Sequence, residues 1–412
     1  MTTLNLPLGW QRAEVRRFAR VRTGKTVASV PSSPDDVEAP YITAAHIQPL
    51  GRLVDVDGKV MWFSSQELRE LNLRQDDLLV VEGGAGYGRP ALLAEDLIGW
   101  GFQNHVNRIR PIAHVSPRYL YYVFEHLLTS GATEVASAGA TIPTLSAEKV
   151  RGLTAAFPPS SEQAIITAFL DRETAQIDAM IEAQRDLVAA LAERRSSVLE
   201  GALSAVWEYP HRRLQWLYRV SADCNRPDLE VLSVYRDFGV IPKSSRDDNF
   251  NKTPENVERY LLVRPDDLVT NRMKAWQGSL GVSKHLGIVS GDYEVARPTT
   301  PELLPEFAHF MLRSPRLIGE YRSRSTGIRP AQWRLYWDQM GQIVVPVPPP
   351  DVQAAQVHRV KESLSRIDLL VAAANESIVL MQERRSALIS SAVTGRIDPR
   401  TGKESSPEKV LE

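Results

Sequence analysis

Apolar residues recur at helical spacing along two long stretches of this chain. In 364–392 they fall at alternating steps of three and four, the spacing of a coiled-coil seam, with one interruption at Arg385. A second stretch, 170–202, has the same stripe with breaks at Gln184 and Arg195. One helix cannot bury such a stripe alone, so the sequence predicts two long helices that pack on each other. The stripe positions are Leu170, Ile177, Ile181, Val188, Leu191, Val198 and Ala202, and then Leu364, Ile367, Val371, Ala374, Ile378, Met381, Leu388 and Ala392.

The two stretches belong to an internal repeat. "IDAMIEAQRDLVAALAERRSSVL" at 177–199 aligns without a gap with "IDLLVAAANESIVLMQERRSALI" at 367–389, at an offset of 190 residues. The same offset aligns 74–88 with 264–278. The chain is therefore a doubled unit, in which a globular module is followed each time by a long helix.

Proline-rich segments precede both predicted helices. "FPPSSEQ" at 157–163 offers Ser160 or Ser161 as the N-cap, and "VPPPDVQ" at 347–353 offers Asp351. Because the second helix must begin where the second module ends, paired helices would run antiparallel. The modules would then lie at opposite ends of the helices, related by a pseudo-two-fold axis.

The predicted fold class is α+β, with two pseudo-repeated mixed α/β modules separated by two long antiparallel coiled-coil helices. Short strands are expected at 77–82 and 267–270, and an aromatic-rich helix is expected near 117–128. The predicted domains are a first module at 1–157, a central long helix at 158–206, a second module at 207–347, a C-terminal long helix at 348–398 and a flexible tail at 399–412.

Composition is that of an ordinary globular protein: 43% of the 412 residues are apolar and 24% are charged. The one cysteine, Cys224, permits no internal disulfide, which fits a reducing compartment. The first residues lack the apolar core and cleavage site of a signal peptide, and no apolar run is long enough to span a bilayer. We therefore expect a cytoplasmic protein with no membrane contact.

The net charge of −1 conceals two basic segments. Six basic residues lie from Arg12 to Lys25 against one acid, and six arginines lie from Arg313 to Arg334 against one acid. The stretch 160–205 offsets them with eight acids and four bases. Taken alone, each basic segment is more typical of a solvated face than of a binding surface, so the charge distribution leaves nucleic-acid binding open.

The loop "GGAGYGR" at 83–89 is paired by the repeat with "MKAWQGS" at 273–279. It lacks the Walker ending and the dinucleotide-binding pattern, which favours a tight turn over a nucleotide site. Gly88 matches Gly278, but the side chains around them differ. Two recognition surfaces on one scaffold would produce this pattern, and neutral drift in a surface loop explains it equally well. The differing pairs are Glu82 and Arg272, Gly84 and Lys274, Gly86 and Trp276, and Tyr87 and Gln277.

Other segments carry side chains suited to nucleic acid. "FQNHVNRIR" at 102–110 has amides of the kind that bond adenine, although the satisfied polar end of a strand would look the same. "EYRSRSTGIRPAQWRL" at 320–335 combines arginines with hydroxyls, which suits phosphates, and its counterpart at 136–149 keeps the hydroxyls. His105 has no second histidine at metal-ligand spacing, so no metal site is expected.

Catalytic motifs are missing from the sequence. We find no Asp/Asn-Pro-Pro-aromatic motif, no loop suited to S-adenosylmethionine, and no nuclease carboxylate cluster, Walker lysine or nucleophile elbow. The paired acids at 76–77 and 266–267 precede apolar strands and are interpreted as turn residues. No catalytic residue, metal or bound cofactor is assigned to this chain.

The long helices resemble those of the DNA-specificity (S) subunits of type I restriction-modification systems, and the resemblance extends over nearly the whole chain. "PPSSEQAIITAFLDRETAQIDAMIEAQRDLVAALAERRSSVLEGA" at 158–202 follows the family's Pro-Pro…Glu-Gln…Leu-Asp…Ile-Asp…Arg-Arg pattern. The second copy, at 348–398, ends in the typical "AVTGRID". It departs at its start, where Asp351-Val352-Gln353 stands in place of Leu-x-Glu-Gln.

This resemblance implies a non-catalytic subunit that reads a split, asymmetric double-stranded DNA target, with one recognition domain for each half-site. It also implies that the helices act as a ruler and as the dock for two methyltransferase subunits. Those partners would bind S-adenosylmethionine and methylate adenine, and restriction or translocase subunits that use ATP with Mg²⁺ are optional further partners.

Two features point to candidate DNA contacts: a difference between the two copies of the repeat, and side-chain chemistry suited to nucleic acid. The expected DNA contacts are Thr43, Gly84, Gly86, Tyr87, Arg89, Asn104 and Thr141 in the first module, and Ser233, Arg236, Arg272, Lys274, Trp276, Gln277, Arg324 and Arg329 in the second. The expected docking residues are Arg194, Arg195, Arg384 and Arg385, although these arginines would also suit solvation of the helices or pairing within them.

Other functions remain open on the sequence alone. One is a targeting subunit of another DNA modification or defence system. A second is a coiled-coil assembly adapter without DNA binding, and a third, disfavoured, is an enzyme that uses the glycine loop to bind a nucleotide.

Overall fold

The computed structural model describes residues 6–54, 59–84, 86–137, 143–236, 238–246, 253–254, 256–329 and 332–404. Two of its helices are far longer than the others and correspond to the two predicted stretches. The α-helices are α1 (Ser65–Glu70), α2 (Pro117–Thr129), α3 (Ala132–Ser137), α4 (Ala147–Gly152), α5 (Ser160–Ser204), α6 (Leu214–Leu217), α7 (Pro305–Leu312), α8 (Pro315–Arg324), α9 (Trp337–Met340) and α10 (Pro350–Val393).

The strands are short and lie in both modules, as predicted for a mixed α/β fold. The predicted strands at 77–82 and 267–270 correspond to β5 and β15 below, and the aromatic-rich helix is α2. The strands are β1 (Gln11–Glu14), β2 (Ala19–Thr23), β3 (Val37–Ile42), β4 (Val60–Phe63), β5 (Leu78–Val81), β6 (Pro90–Leu92), β7 (Gly101–Phe102), β8 (Val106–Pro111), β9 (Thr154–Phe157), β10 (His211–Arg213), β11 (Tyr218–Val220), β12 (Leu232–Tyr235), β13 (Gly239–Pro242), β14 (Leu261–Val263), β15 (Leu268–Asn271), β16 (Leu280–Val282), β17 (Gly287–Val289), β18 (Tyr293–Pro298), β19 (Val344–Pro346), β20 (Ile397–Asp398) and β21 (Lys403–Glu404).

The chain folds into two compact units. Unit 1 comprises Met1–Ala183 with Ser377–Glu412, and unit 2 comprises Gln184–Glu376. The division falls within the long helices, so α5 and α10 each contribute one part to each unit.

Unit 1 is built on an antiparallel four-stranded sheet in the order β2-β8-β5-β6. A smaller sheet, β4-β3-β7, and the pair β1-β9 complete it. Strand β5 is buried on both faces: Leu78 and Val80 enter the core formed with α2, and Leu79 and Val81 enter the core formed with β3 and β7. This two-sided burial explains why β5 is an unbroken apolar run.

Unit 2 repeats this plan. Its antiparallel sheet has the order β11-β18-β15-β16, and β10 pairs with β19 as β1 pairs with β9. Leu268 of the central strand β15 enters one core together with Phe307 of α7, and Val269 enters a second core. The predicted internal repeat is therefore confirmed at the level of topology.

The turns that precede the central strands are also repeated. Asp76 and Asp266 adopt positive φ values of 69° and 73°. The carboxylates of Asp77 and Asp267 each accept a hydrogen bond, 2.8 Å long, from the backbone N–H three residues earlier. These acids are turn residues, as interpreted from the sequence.

The apolar stripes of the long helices form their packed faces. In unit 1, Leu170 of α5 shares a core with Ile389 and Ala392 of α10. In unit 2, Leu191 of α5 and Leu364 of α10 are buried. Each unit combines segments from opposite ends of the two helices, as antiparallel helices do, and every predicted stripe position is buried or half-buried.

Both long helices have a buried glutamine as the fourth residue. Gln163 accepts a 2.8 Å hydrogen bond from the Ser116 N–H and donates to the Pro158 carbonyl over 2.9 Å. Gln353 accepts from the Leu304 N–H over 2.8 Å and donates to the Pro348 carbonyl over 2.7 Å. The departure from the family pattern just before Gln353 therefore leaves this connection between helix and module unchanged. The helices themselves start at Ser160 and Pro350, so Asp351 lies in the first turn of its helix.

The sequence places the end of the C-terminal helix near Gly395, inside the predicted segment 348–398, and the helix ends at Val393. Gly395 has a φ of 74°, a conformation that terminates helices, and β20 then pairs with β21. The first residues of the predicted tail thus form a short hairpin, and 405–412 lie outside the described residues.

Candidate nucleic-acid interface

In each module, a backbone hydrogen bond joins the loop that follows the central strand to a segment distant in sequence. The Leu145 N–H donates to the Glu82 carbonyl over 2.7 Å, and the Leu335 N–H donates to the Arg272 carbonyl over 2.9 Å. These two bonds occupy equivalent positions of the repeat. The structure therefore joins the predicted loops at 83–89 and 273–279 to the hydroxyl-rich and arginine-rich segments that follow α3 and α8.

The matched glycines shape both loops. Gly88 and Gly278 have φ values of 74° and 90°. A Cβ added at Gly88 would lie 2.7 Å from Leu128, and one at Gly278 would lie 2.8 Å from Ile318. Only glycine suits both the left-handed backbone and the close approach, which explains why the two copies share it. Gly84, by contrast, is exposed with open space at its Cβ position.

The remaining predicted contacts of the first module are only partly available. The Tyr87 hydroxyl donates to the Thr133 carbonyl over 2.6 Å, which holds its side chain against α3. Gly86 lies beside Arg89, which is half-buried. Asn104 is half-buried in the turn between β7 and β8. Thr141 lies outside the described residues.

Two predicted contacts are buried. Thr43 is 4% exposed, and its Oγ1 lies 2.9 Å from His46 Nδ1. Ser233 is 9% exposed on β12. Thr43 caps the short helical turn after β3 and Ser233 lies within β12, and because both side chains are buried, neither hydroxyl is placed to reach DNA.

Burial raises the pKa of Glu82 above its usual value, and the nearby His105 and Lys149 act in the opposite sense. Glu82 is not among the contacts expected from the sequence, which distinguishes it only by its difference from Arg272. It gives the first loop a different charge from that of its counterpart.

Three predicted contacts of the second module meet in one groove of about 450 Å³. Arg236, Trp276 and Gln277 line it together with Ile318 and Arg322 of α8. Sequence reasoning missed Arg322, although the arginine-rich segment signalled it. The groove combines guanidinium groups, an amide and an indole, which are the groups that contact bases and phosphates.

The other predicted contacts of this module differ in availability. Arg272 donates from Nη2 to the Gly291 carbonyl, and its Nη1 lies 4.0 Å from Glu294, so it is engaged within the module. Arg324 pairs with Glu320 on its own helix at 3.1 Å. Lys274 and Arg329 are exposed.

The basic segment of the first module is partly paired with acids. Arg22 pairs with Glu70, and Lys25 pairs with Glu67 at 2.6 Å. Helix α1 thus neutralises part of the charge that the sequence displayed, whereas Arg12, Arg17 and Arg20 of the same segment are exposed.

The predicted docking arginines separate into two groups. Arg194 and Arg384 are exposed. Arg385 is 6% exposed, with Nη1 2.7 Å from Glu125 and Nε 2.9 Å from Asp178. Arg195 pairs with Asp368. Pairing within the helices, the alternative stated above, therefore describes Arg195 and Arg385.

Exposed apolar side chains also lie on α10. Leu369 and Leu370 in unit 2 are 69% and 53% exposed, and Val379 and Leu380 in unit 1 are 52% and 58% exposed. Neighbouring apolar residues of this size are unusual on a solvated helix face and are typical of a docking surface.

The described part of the chain offers neither a metal-binding cluster nor a membrane-spanning helix. Within it, no group of three or more His, Cys, Asp or Glu side chains is arranged to hold a metal ion. None of the helices described there is long and apolar enough to cross a bilayer.

The two modules thus share one sheet topology and present different side chains at the loops after their central strands. Residues 7–186 match the family described as type I restriction modification DNA specificity domain. The match covers the first module and the α5 residues that follow it, less than half of the chain, so this part of the chain is similar to that family.

One solved structure extends the likeness of fold over 95% of the chain. A chain from work on complex assembly and conformational transition of the type I R-M system has a TM-score of 0.63 and 17% identity, and the match covers 95% of this chain and 99% of that chain. The HsdS subunit from Thermoanaerobacter tengcongensis has a TM-score of 0.47 at 17% identity, covering 96% of this chain and 99% of that one. No curated protein sequence matches the chain.

Proposed function

We propose that this chain is the specificity subunit of a type I restriction-modification complex. It reads a bipartite, asymmetric DNA target with one module for each half-site, and it docks two methyltransferase subunits on α5 and α10. The chain supplies recognition without catalysis. The partner subunits bind S-adenosylmethionine and methylate adenine, and restriction or translocase subunits can join them.

The observation that carries this proposal is one sheet topology with two different sets of loop side chains. The orders β2-β8-β5-β6 and β11-β18-β15-β16 are equivalent, and equivalent backbone bonds close the loops after β5 and β15. At those loops Glu82 is replaced by Arg272 and Gly86 by Trp276. One scaffold that presents different chemistry suits a target whose two halves differ in sequence.

The docking of partner subunits is supported by the exposed apolar side chains of α10, Leu369 and Leu370 in unit 2 and Val379 and Leu380 in unit 1. Burying such side chains at an interface would stabilise a complex by about 1.5–3 kcal/mol for each that becomes fully covered. The exposed Arg194 and Arg384 remain the charged candidates at this surface.

The test uses the full chain purified together with its modification subunits. Duplexes selected from a randomised pool should share a two-part motif with a fixed spacer, and methyl transfer to adenine should require both the chain and its partners. A single continuous motif would contradict the reading of one half-site by each module.

A salt titration of duplex binding separates the proposal from an assembly adapter. For a DNA-binding complex, the logarithm of the association constant falls with the logarithm of salt concentration by about 0.9 for each phosphate contact. An assembled complex that binds no duplex at any salt concentration would favour the adapter instead.

A further inference from the structure

We propose that the second module reads a guanine through Arg236, with Gln277 as the residue that positions it. This inference rests on the proposed function and adds to it the identity of one base. It arises from a line of hydrogen bonds that runs from the sheet to the groove defined above.

The backbone at Arg236 is tied to α7. Arg313, at the end of that helix, donates from Nη2 to the Arg236 carbonyl, and its Nη1 lies 2.8 Å from His309 Nε2. Because a guanidinium group only donates, His309 Nε2 accepts, and its Nδ1 donates to the Val282 carbonyl over 3.3 Å. The turn that carries Arg236 is thus anchored to strand β16 through two side chains.

The side chain of Arg236 is held as well. Its Nη2 donates to Gln277 Oε1 over 3.3 Å, using one of the five N–H donors of the guanidinium group. Arg236 is exposed and Gln277 is half-buried, so the amide is the fixed partner and the guanidinium faces the groove. A held arginine loses less side-chain entropy on binding a base than a mobile one.

The guanidinium group of Arg236 offers donors only. Arginine has no acceptor, so the Gln277 atom that faces it must be the amide oxygen, and the amide NH₂ points away from the pair. In the major groove guanine presents two acceptors, N7 and O6, whereas adenine and cytosine each present an amino donor. The remaining donors of Arg236 can bond both acceptors of guanine, whereas the amino group of adenine or cytosine finds no acceptor on the guanidinium group and thymine offers it only one acceptor, O4.

The walls of the groove fit this contact. The Trp276 Nε1–H donates to the Met273 carbonyl over 3.1 Å, so the indole supplies a flat wall and no free donor. Ile318 and Pro315 add apolar surface, and the exposed Arg322 offers a charge for a phosphate. The first module has Tyr87 at the position equivalent to Gln277, and the Tyr87 hydroxyl is bonded to α3. The arrangement of Arg236 with Gln277 is therefore specific to the second module.

The experiment again uses the full chain with its modification subunits and the selected two-part motif. Arg236→Ala should abolish a guanine preference at one position of one half-site, reducing discrimination there by about 5- to 150-fold. The other half-site should be unchanged. Gln277→Leu should weaken the same preference less, because the arginine remains but is no longer held.

Arg322→Ala is the matched control from the same groove, and it should lower affinity for all sequences alike. A second measurement needs no variant to fold: unchanged protein is titrated with duplexes in which single guanines are replaced by 7-deazaguanine, which lacks the N7 acceptor. One replacement should weaken binding severalfold, and the same duplex should cause no further loss in Arg236→Ala.

The outcomes distinguish a failure of the proposed function from a failure of the guanine assignment. Selection of no motif at all would contradict the proposed function. A two-part motif in which no guanine responds to 7-deaza replacement, or in which Arg236→Ala relaxes a different base, would overturn the guanine assignment and leave the proposed function standing.

Discussion

In each module a glycine packs against a ring side chain, and the chemistry of that ring differs between the modules. Gly51 and Gly239 both have positive φ, and a Cβ at either would lie 2.6 Å from a ring, that of Tyr121 in the first module and that of His309 in the second. A glycine packed on a ring is thus kept, while the ring changes from a phenol to a titratable imidazole.

That exchange predicts a pH dependence of stability. Burial lowers the pKa of His309 to about 4, and Arg313 adds to the shift. Because the unfolded chain takes up this proton near its ordinary pKa of about 6.5, the folded state loses stability as the pH falls from about 6.5 towards 4. The loss should be on the order of 3 kcal/mol over that window.

The measurement is the free energy of unfolding from urea titrations between pH 4.5 and 7.5. His309→Phe, which keeps a ring against Gly239, should be less stable at neutral pH and should lack this component of the pH dependence. An unchanged slope in the variant would rule out His309 as its source.

The buried Arg385 makes a second prediction at this scale. Replacing it with alanine leaves Glu125, which is 8% exposed, without its cation, so the free energy of unfolding should fall by about 3–5 kcal/mol. The exposed neighbour provides the control, since Arg384→Ala should change stability by no more than about 0.5 kcal/mol. Similar effects of the two alanine variants would contradict the buried ion pair.

At the scale of elements, one ion pair joins a helix of each module to a long helix, and the acidic and basic partners are exchanged between the two modules. Arg118 of α2 lies 2.7 Å from Asp171 of α5, and Glu306 of α7 lies 2.6 Å from Lys361 of α10. These are equivalent positions of the repeat with the charges exchanged. A module moved to the other helix would face a like charge, which favours each module on its own helix.

This exchange predicts a measurable repulsion. Lys361→Asp, which introduces the residue found at the matched position, should lower the free energy of unfolding by about 1 kcal/mol or less, because the pair is partly exposed. Adding Glu306→Arg should recover part of the loss. The loss should shrink in 1 M salt, where charges are screened over about 3 Å, and a loss that persists there would argue against an electrostatic origin.

Elements were the most predictable level of this structure. Helical periodicity, proline stops and apolar runs are local signals, so α5, α10, β5 and β15 could be located before their partners were known. The end of α10 near Gly395 is a local signal too, because glycine readily adopts the left-handed backbone that terminates a helix.

At the scale of the whole molecule, the two modules should make separable contributions to DNA binding. Lys274 is exposed beside the groove of the second module, whereas Arg272 is bound within that module, so Lys274→Ala is the cleaner test of charge. It should reduce the steepness of the salt dependence by about 1 without changing the selected motif. A changed motif would show that Lys274 contacts a base and not a phosphate.

The sequence by itself determined the doubling of the chain, the two long helices and the loops at which the copies differ. These follow from periodicity and from the comparison of one copy with the other, which need no knowledge of contacts.

Only the tertiary structure decided which side chains are available at those loops. Thr43 and Ser233 are buried, Arg272 and Arg385 are bound to groups distant in the chain, and Arg236 is held by Gln277. The physical reason is that burial and hydrogen bonding depend on segments brought together by folding, whereas the propensity to form a helix or strand depends mainly on neighbours along the chain.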